Sequence, residues 1–545
     1  MMNLAKHLNK LIKPDAIGII LTVFLLLMVI NLVHYAKQKV DWHVDEIYSF
    51  TLSNIYQSGY LTGYPDFYDE WHDRDYIIDR ITPNEHPFAY GSVYQNQAND
   101  VHPPLYYYIF HTINSLVPHT FSNWTGFIPN IIFFVLTVII LFFIAEKLFR
   151  NKWLSLLTVV IWGFSIGAIN SVVFIRMYAL LTLFIVLNVW LHFCLMDSKD
   201  RKLKWLIGIG LTTLMGFMTH YHYLIIAFFV SALFCIYKLI MRQWKDIIMY
   251  VLSIFFPLLL GYLYFPASLT HILHSNRGSE AIANFISRND NDYLAKYFKI
   301  IDIELFGSYG HIFFMIVLLI MICVIAHVVI QTITDKSFEF PKKHFKGTAK
   351  ENILWLGLVL VCVAFTLFIA RTTPWIAERF LMGIFPLIIL CVVYGLYLIY
   401  KMYFKSISLF MVIVPLLFAI MTGSSYGKNI SLLHREHSRI LDTVSEVDAS
   451  HAVFIPDPRY GWRIHNVFLE LGFLFDRIYI THDTEVSAEL SSTLAELDSI
   501  VIYIYVTLEH NKIAQNYANA GKFQSGRILY QKGGFVAYYL SKSTG

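Results

Sequence analysis

Charged residues are scarce in this chain: they make up 15% of its 545 residues, whereas 57% are hydrophobic. Soluble globular proteins carry about 25% charged residues, so a soluble fold is excluded for the chain as a whole. The formal net charge is only +4, and the basic residues occur in short clusters between apolar runs rather than in one patch. Nucleic-acid binding therefore has little support, and the composition indicates a polytopic membrane protein.

Cysteine is also rare, and its placement excludes two kinds of stabilisation. All five cysteines lie inside apolar runs, where small packing residues are expected, and the sequence has no CxxC or Cys/His metal spacing. We therefore expect neither disulfides nor a structural zinc site. The first apolar run, 17–36, lacks a small-residue cleavage site and is long enough to span a bilayer, which predicts a retained helix rather than a signal peptide.

Basic residues precede and separate the apolar runs, and their positions predict the topology. Lys6, Lys10 and Lys13 stand before the first run, which places the N-terminus in the cytoplasm. Further basic clusters recur around Lys147, Lys199, Lys238, Lys336 and Lys401. If each cluster is cytoplasmic, the apolar runs between successive clusters must come in pairs. They do: 153–170 with 178–196, 204–218 with 221–240, 246–264 with 310–332, and 352–370 with 378–400.

The segment from Pro103 to Leu116 is apolar but breaks this parity. Only one crossing can connect the preceding loop with the basic cluster at Lys147, and the segment is shorter than the roughly 20 residues that a spanning helix needs. Because proline suits the first turn of a helix, Pro103-Pro104 predicts an interfacial helix here. The second span is then about 128–148, and the total is about eleven crossings, or about twelve if the proline-rich segment crosses.

The chain divides into two predicted domains. Residues 1–425 form an all-α membrane domain that ends with a span at 406–422, and its large extracytoplasmic loops are 37–127 and 265–309, the second a possible lid. Residues 426–545 alternate β-rich and helical stretches and lack a glycine-rich phosphate loop. They predict a small extracytoplasmic α/β domain, to which we assign no catalytic role. Its β-rich runs begin at His451, Arg477 and Ser499, and a hairpin turns at Gly533-Gly534.

Unusual polar residues collect on one side of this topology, at the outer ends of spans or in the outer loops. Ionisable groups at membrane depth are costly and persist mainly where they meet a partner or a substrate. The set comprises Asp45, Glu46, Asp100, His102, Arg176, Tyr178, His220, His222, Arg371, Glu378 and Arg379. Singly, the arginines could snorkel to headgroups and the histidines could be hydrogen-bonded helix ends. Together, the residues predict an active site.

Asp45 and Glu46 are adjacent, so in a helix their side chains point about 100° apart. One carboxylate is then expected to face the cavity while the other braces it. We assign the cavity to Asp45, with Glu46 and Asp100 as supporting carboxylates. His220 and His222 are two residues apart and do not share a helix face, so no required metal or other cofactor is predicted.

Five motifs occur in order along residues 15–425: Asp45-Glu46 after the first span, Asp100-Val-His-Pro-Pro-Leu-Tyr-Tyr, Arg176-Met-Tyr, Thr219-His-Tyr-His-Tyr, and Glu378-Arg379-Phe-Leu before Pro386. In this combination the chain resembles the bacterial branch of the protein O-mannosyltransferase and aminoarabinose-transferase type glycosyltransferases, which are membrane enzymes of the GT-C fold. The resemblance implies a polyprenyl-phosphate sugar donor, transfer on the outer side of the bacterial plasma membrane, and a general base at Asp45.

The predicted chemistry is glycosyl transfer with inversion. One carboxylate, Asp45, accepts the proton of the acceptor hydroxyl, and cationic groups such as Arg176 and Arg379 stabilise the departing lipid phosphate. The expected partners are the lipid-linked donor, membrane lipid, and an envelope glycan, lipid or protein as acceptor. Two other functions stay open: a transporter or flippase of a lipid-linked intermediate, which requires polar groups at mid-span positions, and a non-catalytic scaffold that binds envelope polymer.

Overall fold

The computed structural model places most of the chain. It describes residues 16–57, 59–198, 202–288, 292–312, 315, 349–403, 407–426, 430–468 and 474–542.

Long apolar helices form the bulk of the described chain. They are α1 Ala16–Ala36, α6 Trp124–Phe149, α7 Lys152–Gly163, α8 Ile166–Val173, α9 Tyr178–Asp197, α10 Lys202–Thr219, α11 His222–Ile240, α12 Trp244–Tyr264, α16 Ala349–Thr372, α17 Phe385–Tyr403 and α18 Ile407–Gly423. Among the described residues, 7 helical stretches are long and apolar enough to cross a membrane, or up to 8 if the pair α7 and α8, bent by 57°, is one span. The prediction of a polytopic helical membrane protein is confirmed.

The predicted total of about eleven crossings is not confirmed. Each predicted span other than 310–332 coincides with a helix or, for 153–170, with the bent pair α7 and α8, but α10 and α18 are not among the helices long and apolar enough to cross. Almost all of 310–332 lies outside the described residues.

Shorter helices occupy the two large loops. The first loop contains α2 Val44–Asn54, α3 Arg74–Ile81, α4 Tyr90–Asn99 and α5 Leu105–Ser115, and the second contains α13 Ala267–Leu273, α14 Asn276–Ser287 and α15 Asp292–Phe306. Helix α5 is the proline-rich segment, and its 11 residues are about 17 Å long. That is roughly half of the hydrocarbon thickness of about 30 Å. Its buried face carries Tyr106, Tyr107 and Phe110 and packs on α2.

Ion pairs gather the described basic clusters at one end of the long helices. Asp197, the last residue of α9, pairs with Lys350 and with Lys147, whose Nζ lies 2.6 Å from Asp197 Oδ2. Asp246, near the start of α12, lies 2.9 Å from the Nζ atoms of both Lys202 and Lys238. The predicted site residues sit at the opposite ends of these helices. A helix of 20 residues is about 30 Å long, so the two polar regions are far apart.

The C-terminal region forms a six-stranded sheet in the order β1-β3-β2-β4-β6-β5. Its strands are β1 Trp71–Asp73, β2 His451–Ile455, β3 Arg477–Ile480, β4 Ser499–Tyr505, β5 Ser525–Lys532 and β6 Phe535–Ser541. The strands β3, β2 and β4 run parallel, and the other neighbouring pairs are antiparallel. Helices α19 Ser438–Ser445, α20 Ala488–Glu496 and α21 His510–Gly521 complete the region.

The α/β character and the predicted strand positions are confirmed, and Gly533 and Gly534 form the turn between β5 and β6 with φ of +58° and +91°. Positive φ at both positions suits glycine. The sequence did not indicate β1, which comes from the first loop and adds to β3 through three residue pairs. The first loop is therefore part of the C-terminal sheet.

A buried ion pair also joins the first loop to the C-terminal region. Asp41 Oδ2 lies 2.6 Å from Lys532 Nζ and 2.7 Å from His437 Nδ1, and the Asp41 and Lys532 side chains are each 4% exposed. Beside it, the Lys39 ammonium donates to the Leu432 carbonyl at 2.6 Å. The segment just before helix α2 is thus fastened to the C-terminal region by charge and by hydrogen bonds.

We expect Lys532→Met to reduce the free energy of unfolding by about 3–5 kcal/mol, because it leaves the buried Asp41 carboxylate without its cationic partner. Lys512→Met is the matched control, since Lys512 is 74% exposed and pairs with Glu509 at 3.4 Å on the surface. Such exposed pairs contribute about 0–1 kcal/mol. Denaturant unfolding of both purified variants in detergent measures the difference, and equal losses would contradict this account.

Candidate active site

Helix α2 begins with a reciprocal cap that sets the directions of two acidic side chains. The Asp45 backbone N–H donates to His43 Nδ1 at 3.1 Å, and the His43 backbone N–H donates to Glu46 Oε2 at 2.8 Å. Such a cap satisfies backbone donors that the first turn of a helix leaves free. It turns the Glu46 side chain back toward the helix start and leaves Asp45 on another face.

Glu46 is fully buried and joins three parts of the chain. Its carboxylate lies 2.9 Å from Lys39 Nζ and accepts the Ile175 backbone N–H at 2.9 Å, in addition to the His43 N–H. Burial raises the pKa of Glu46, against the opposing effect of the Lys39 charge. With its oxygens engaged by these donors, Glu46 holds the start of α2 against the segment that carries Arg176.

Asp45 lies on the open side of the same turn, and 22% of its side chain is exposed. Its Oδ2 is 3.2 Å from Arg379 Nε and 3.6 Å from His43 Nδ1. Burial by itself would raise the pKa of Asp45, but the positive charges of Arg379 and Arg176 outweigh it and hold the pKa below its usual range. The structure therefore presents an ionised, partly accessible carboxylate.

Arg176 lies behind this carboxylate and is 3% exposed. Its Nη1 donates to Ser49 Oγ at 3.3 Å, and the guanidinium lies 5.6 Å from the centroid of the Tyr107 ring. Although burial opposes the charged form, the neighbouring Tyr107, Asp45 and Asp100 raise the pKa of Arg176. Arg176 and Arg379 thus approach Asp45 from two separate segments.

Asp100 and His102 form a second acidic unit at the edge of the site. The His102 Nδ1 lies 2.7 Å from Asp100 Oδ2, and the Tyr60 hydroxyl donates to Asp100 Oδ1 at 3.0 Å. Burial pushes the pKa of Asp100 upward, but the charge and hydrogen bond of His102 prevail and hold it well below its usual range. The carboxylate is therefore ionised and orients the His102 ring.

A row of rings connects His102 with the Arg379 segment. The centroid distances are 5.8 Å from His102 to His220, 5.5 Å from His220 to Tyr178, 4.5 Å from His220 to His222, and 5.6 Å from His222 to Phe380. His220 lies just before helix α11 and accepts the His222 backbone N–H on Nδ1 at 3.0 Å. Burial, followed by the neighbouring imidazole charges, holds the pKa of His220 well below its usual value, so this imidazole is neutral.

Of the two remaining predicted residues, Arg371 contacts the second loop and Glu378 adjoins Arg379. Arg371 is exposed, and its guanidinium donates to the Arg288 carbonyl in the second loop. Glu378 begins the short 3₁₀ turn Glu378–Phe380 that also carries Arg379. The structure brings the other predicted residues together around Asp45 and the row of rings.

Sequence reasoning missed four contributors to the site: Lys39, His43, Ser49 and Tyr60. His43 stands two residues before Asp45 and is visible in the sequence as part of Asp41-Trp-His-Val-Asp-Glu. Ser49 and Tyr60 carry no distinguishing signal, because they are selected only by the tertiary contacts with Arg176 and Asp100.

A buried carboxyl was also missed. Glu304, in α15, has both oxygens 3.0 Å from the Asn170 amide nitrogen, and burial followed by the charge of Glu378 raises its pKa to about 8. This protonated acid links the second loop to α8.

The chain was compared with solved structures, with curated proteins and with protein-family models. Among solved structures, the chain is similar to ArnT from Cupriavidus metallidurans in the apo state, with 10% identity, a TM-score of 0.46, and coverage of 96% of this chain and 98% of that chain. The same protein bound to undecaprenyl phosphate gives 9% identity, a TM-score of 0.45, and coverage of 97% of this chain and 99% of that chain. The oligosaccharyltransferase AglB from Archaeoglobus fulgidus, in complex with an inhibitory peptide and a dolichol-phosphate, gives 11% identity and a TM-score of 0.42. The match covers 96% of this chain and 74% of that chain.

A comparison with curated proteins finds no match. A family model, described as dolichyl-phosphate-mannose-protein mannosyltransferase, matches residues 101–265. The matched stretch contains His102, Arg176, Tyr178, His220 and His222, whereas Asp45 and Arg379 lie outside it. The part of the chain that supplies the three histidines, Tyr178 and one of the two arginines is thus similar in sequence to a family of mannosyltransferases.

Proposed function

We propose that this protein is an inverting glycosyltransferase of the GT-C type that uses a polyprenyl-phosphate-linked sugar. One observation carries the proposal: Asp45 is an ionised, partly exposed carboxylate, 3.2 Å from Arg379 and close to Arg176, at one end of a bundle of apolar helices. A base beside two guanidinium groups suits a reaction that removes a proton from one substrate and releases a phosphate from the other.

In this mechanism the acceptor hydroxyl gives its proton to Asp45. The acceptor oxygen forms a bond to the anomeric carbon as the bond from that carbon to the phosphate oxygen breaks, and the electron pair leaves with the lipid phosphate. The Nε–H of Arg379 faces Asp45, and a guanidinium carries about five N–H donors in all, so the others can meet phosphate oxygens. The arginine then couples the position of the base to that of the leaving group.

The residues around Asp45 hold it and the neighbouring side chains in fixed positions. Glu46 is engaged by three donors and acts as a positioning residue, while Asp100 orients His102 at the edge of the site. The imidazoles of His102 and His220 and the hydroxyl of Tyr178 offer hydrogen bonds to a sugar or phosphate. No metal is required in this proposal.

The membrane setting supports the choice of donor. A polyprenyl chain can lie along the apolar helices while its phosphate reaches the polar end. The description of the matched family also names a sugar linked to a lipid phosphate. The basic residues Lys147, Lys202, Lys238 and Lys350 at the other end support an extracytoplasmic site by the positive-inside rule, and we propose that the membrane is a bacterial plasma membrane. The acceptor is then an envelope glycan, lipid or protein.

We expect Asp45→Asn to fold normally and to lower the rate of sugar transfer by a factor of about 10²–10⁴, because the amide cannot accept the acceptor's proton. Radiolabelled sugar transfer from a polyprenyl-phosphate donor, measured in detergent micelles, excludes transport as an explanation for any product. Asp75→Asn is the control, since Asp75 is exposed on the same loop. Full activity of Asp45→Asn would refute Asp45 as the base.

The pH dependence of transfer tests the pairing with Arg379. Because the arginines hold the pKa of Asp45 below its usual range, activity should persist as the pH falls to about 4 or lower. In Arg379→Gln, the largest charge that opposes burial is lost, so the pKa of Asp45 rises and we expect the acid limb of kcat/KM to move to higher pH.

The same substitution should also lower the maximal rate by a factor of about 10²–10³, as expected when one charge-stabilising donor is removed. Arg277→Gln is the control, because the Arg277 side chain is 54% exposed and pairs with Glu280 in the second loop. An unchanged acid limb in Arg379→Gln would show that Arg379 does not set the protonation of the base.

A further inference from the structure

The link between helix α18 and the C-terminal sheet carries a second cluster of polar side chains. His434, Glu436 and His437 each offer one ligand atom, and these three atoms lie within 4.8 Å of one another. His434 Nδ1 lies 3.4 Å from Glu436 Oε1, and His437 Nε2 lies 3.9 Å from the same oxygen. This cluster uses no residue of the proposed active site.

The backbone brings the two imidazoles together. His434 separates the 3₁₀ turns Ser431–Leu433 and Arg435–His437 and has a φ of +53°, in the left-handed region. That conformation is uncommon for residues other than glycine and marks a position worth a functional explanation. The result is a stacked pair of rings, with centroids 5.5 Å apart and an angle of 14° between their planes.

Asp41 fixes which nitrogen of His437 is free to bind. The Nδ1–H of His437 donates to Asp41 Oδ2 at 2.7 Å, so Nε2, which lies toward Glu436, is the nitrogen that can coordinate an ion. A carboxylate that accepts from the second nitrogen of a metal-binding histidine is the usual arrangement around bound metals, because it sets the tautomer and increases the basicity of the ligand.

His434 is suited to the same task. Its side chain is 14% exposed, and its Nε2 is buried without a hydrogen-bond partner among the described residues. The described polar contact of the ring is therefore on Nδ1, which faces Glu436. Two imidazole nitrogens and one carboxylate oxygen make a His₂Glu donor set, which zinc accepts with a solvent molecule in the fourth position.

The distances and charges agree with zinc. Bonds of about 2.0–2.1 Å in a tetrahedron separate neighbouring ligand atoms by about 3.4 Å. The observed 3.4 and 3.9 Å to Glu436 Oε1, and the separation of the two imidazole nitrogens within 4.8 Å, reach this spacing by rotation of the side chains. The nearby cations Lys39 and Lys532 are each paired with a carboxylate, Glu46 and Asp41. Glu436 is 64% exposed, so solvent can supply the fourth ligand.

We propose that His434, Glu436 and His437 form a zinc site that fastens the C-terminal domain to the first loop. The ligands lie in the segment whose neighbours Leu432 and Leu433 accept hydrogen bonds from Lys39 and Val40. A bound ion makes that segment rigid next to Asp41, a few residues before helix α2. The sequence expectation of no structural zinc site considered cysteine spacings, whereas this donor set has the spacing His-x-Glu-His.

Zinc content of the full-length protein tests the proposal. The purified protein is stripped with a chelator, equilibrated with Zn²⁺ alone, freed of loose ions and analysed by elemental mass spectrometry. We expect His434→Ala and His437→Ala each to hold one zinc fewer per chain than the wild type. His451→Ala is the control, since His451 lies at the start of β2 and contacts Ser450 and Trp71 instead. Equal zinc content in all four proteins would overturn the proposal.

A measurement on the wild type covers the case in which the variants fail to fold. Anomalous scattering at the zinc edge from wild-type crystals grown with Zn²⁺ should give a peak between His434 Nδ1, Glu436 Oε1 and His437 Nε2. Density there without an anomalous signal would overturn the site.

Discussion

The buried carboxylate of Glu46 is the interaction on which the site depends. It accepts the backbone N–H of His43 at the start of α2 and that of Ile175 just before Arg176, and it pairs with Lys39. Removing one partner of such a buried charge costs about 3–5 kcal/mol, so the three segments have little freedom to separate. Asp45 is the neighbour of this anchored residue, and its position relative to Arg176 follows from it.

Opposite charges then organise the rest of the polar end. Arg379 reaches Asp45 from the turn before α17, and Asp41 meets Lys532 from the sheet. The first loop therefore contacts both the membrane helices and the C-terminal region, and it also supplies strand β1. In this arrangement the C-terminal region supports the loop that carries the proposed base.

Much of the architecture could be predicted because membrane insertion imposes simple rules. The length of the apolar runs located the helices. Charge parity predicted that Pro103–Leu116 is not a span, and α5 is only 11 residues long. Alternation located β2, β3, β4 and the final hairpin. Strand β1 could not be found in this way, because three residues within a polar loop show no periodicity and are ordered only by pairing with β3.

The sequence by itself determined a helical membrane protein with a C-terminal α/β region, and it identified the polar residues that gather at one end, because hydropathy and charge act through composition and spacing. Only the tertiary structure decided what each polar residue does. It buried Glu46, left Asp45 partly open beside Arg379, brought Arg371 to the Arg288 carbonyl of the second loop, and brought His437 to Asp41. Those outcomes depend on contacts between segments hundreds of residues apart, and local sequence does not specify such contacts.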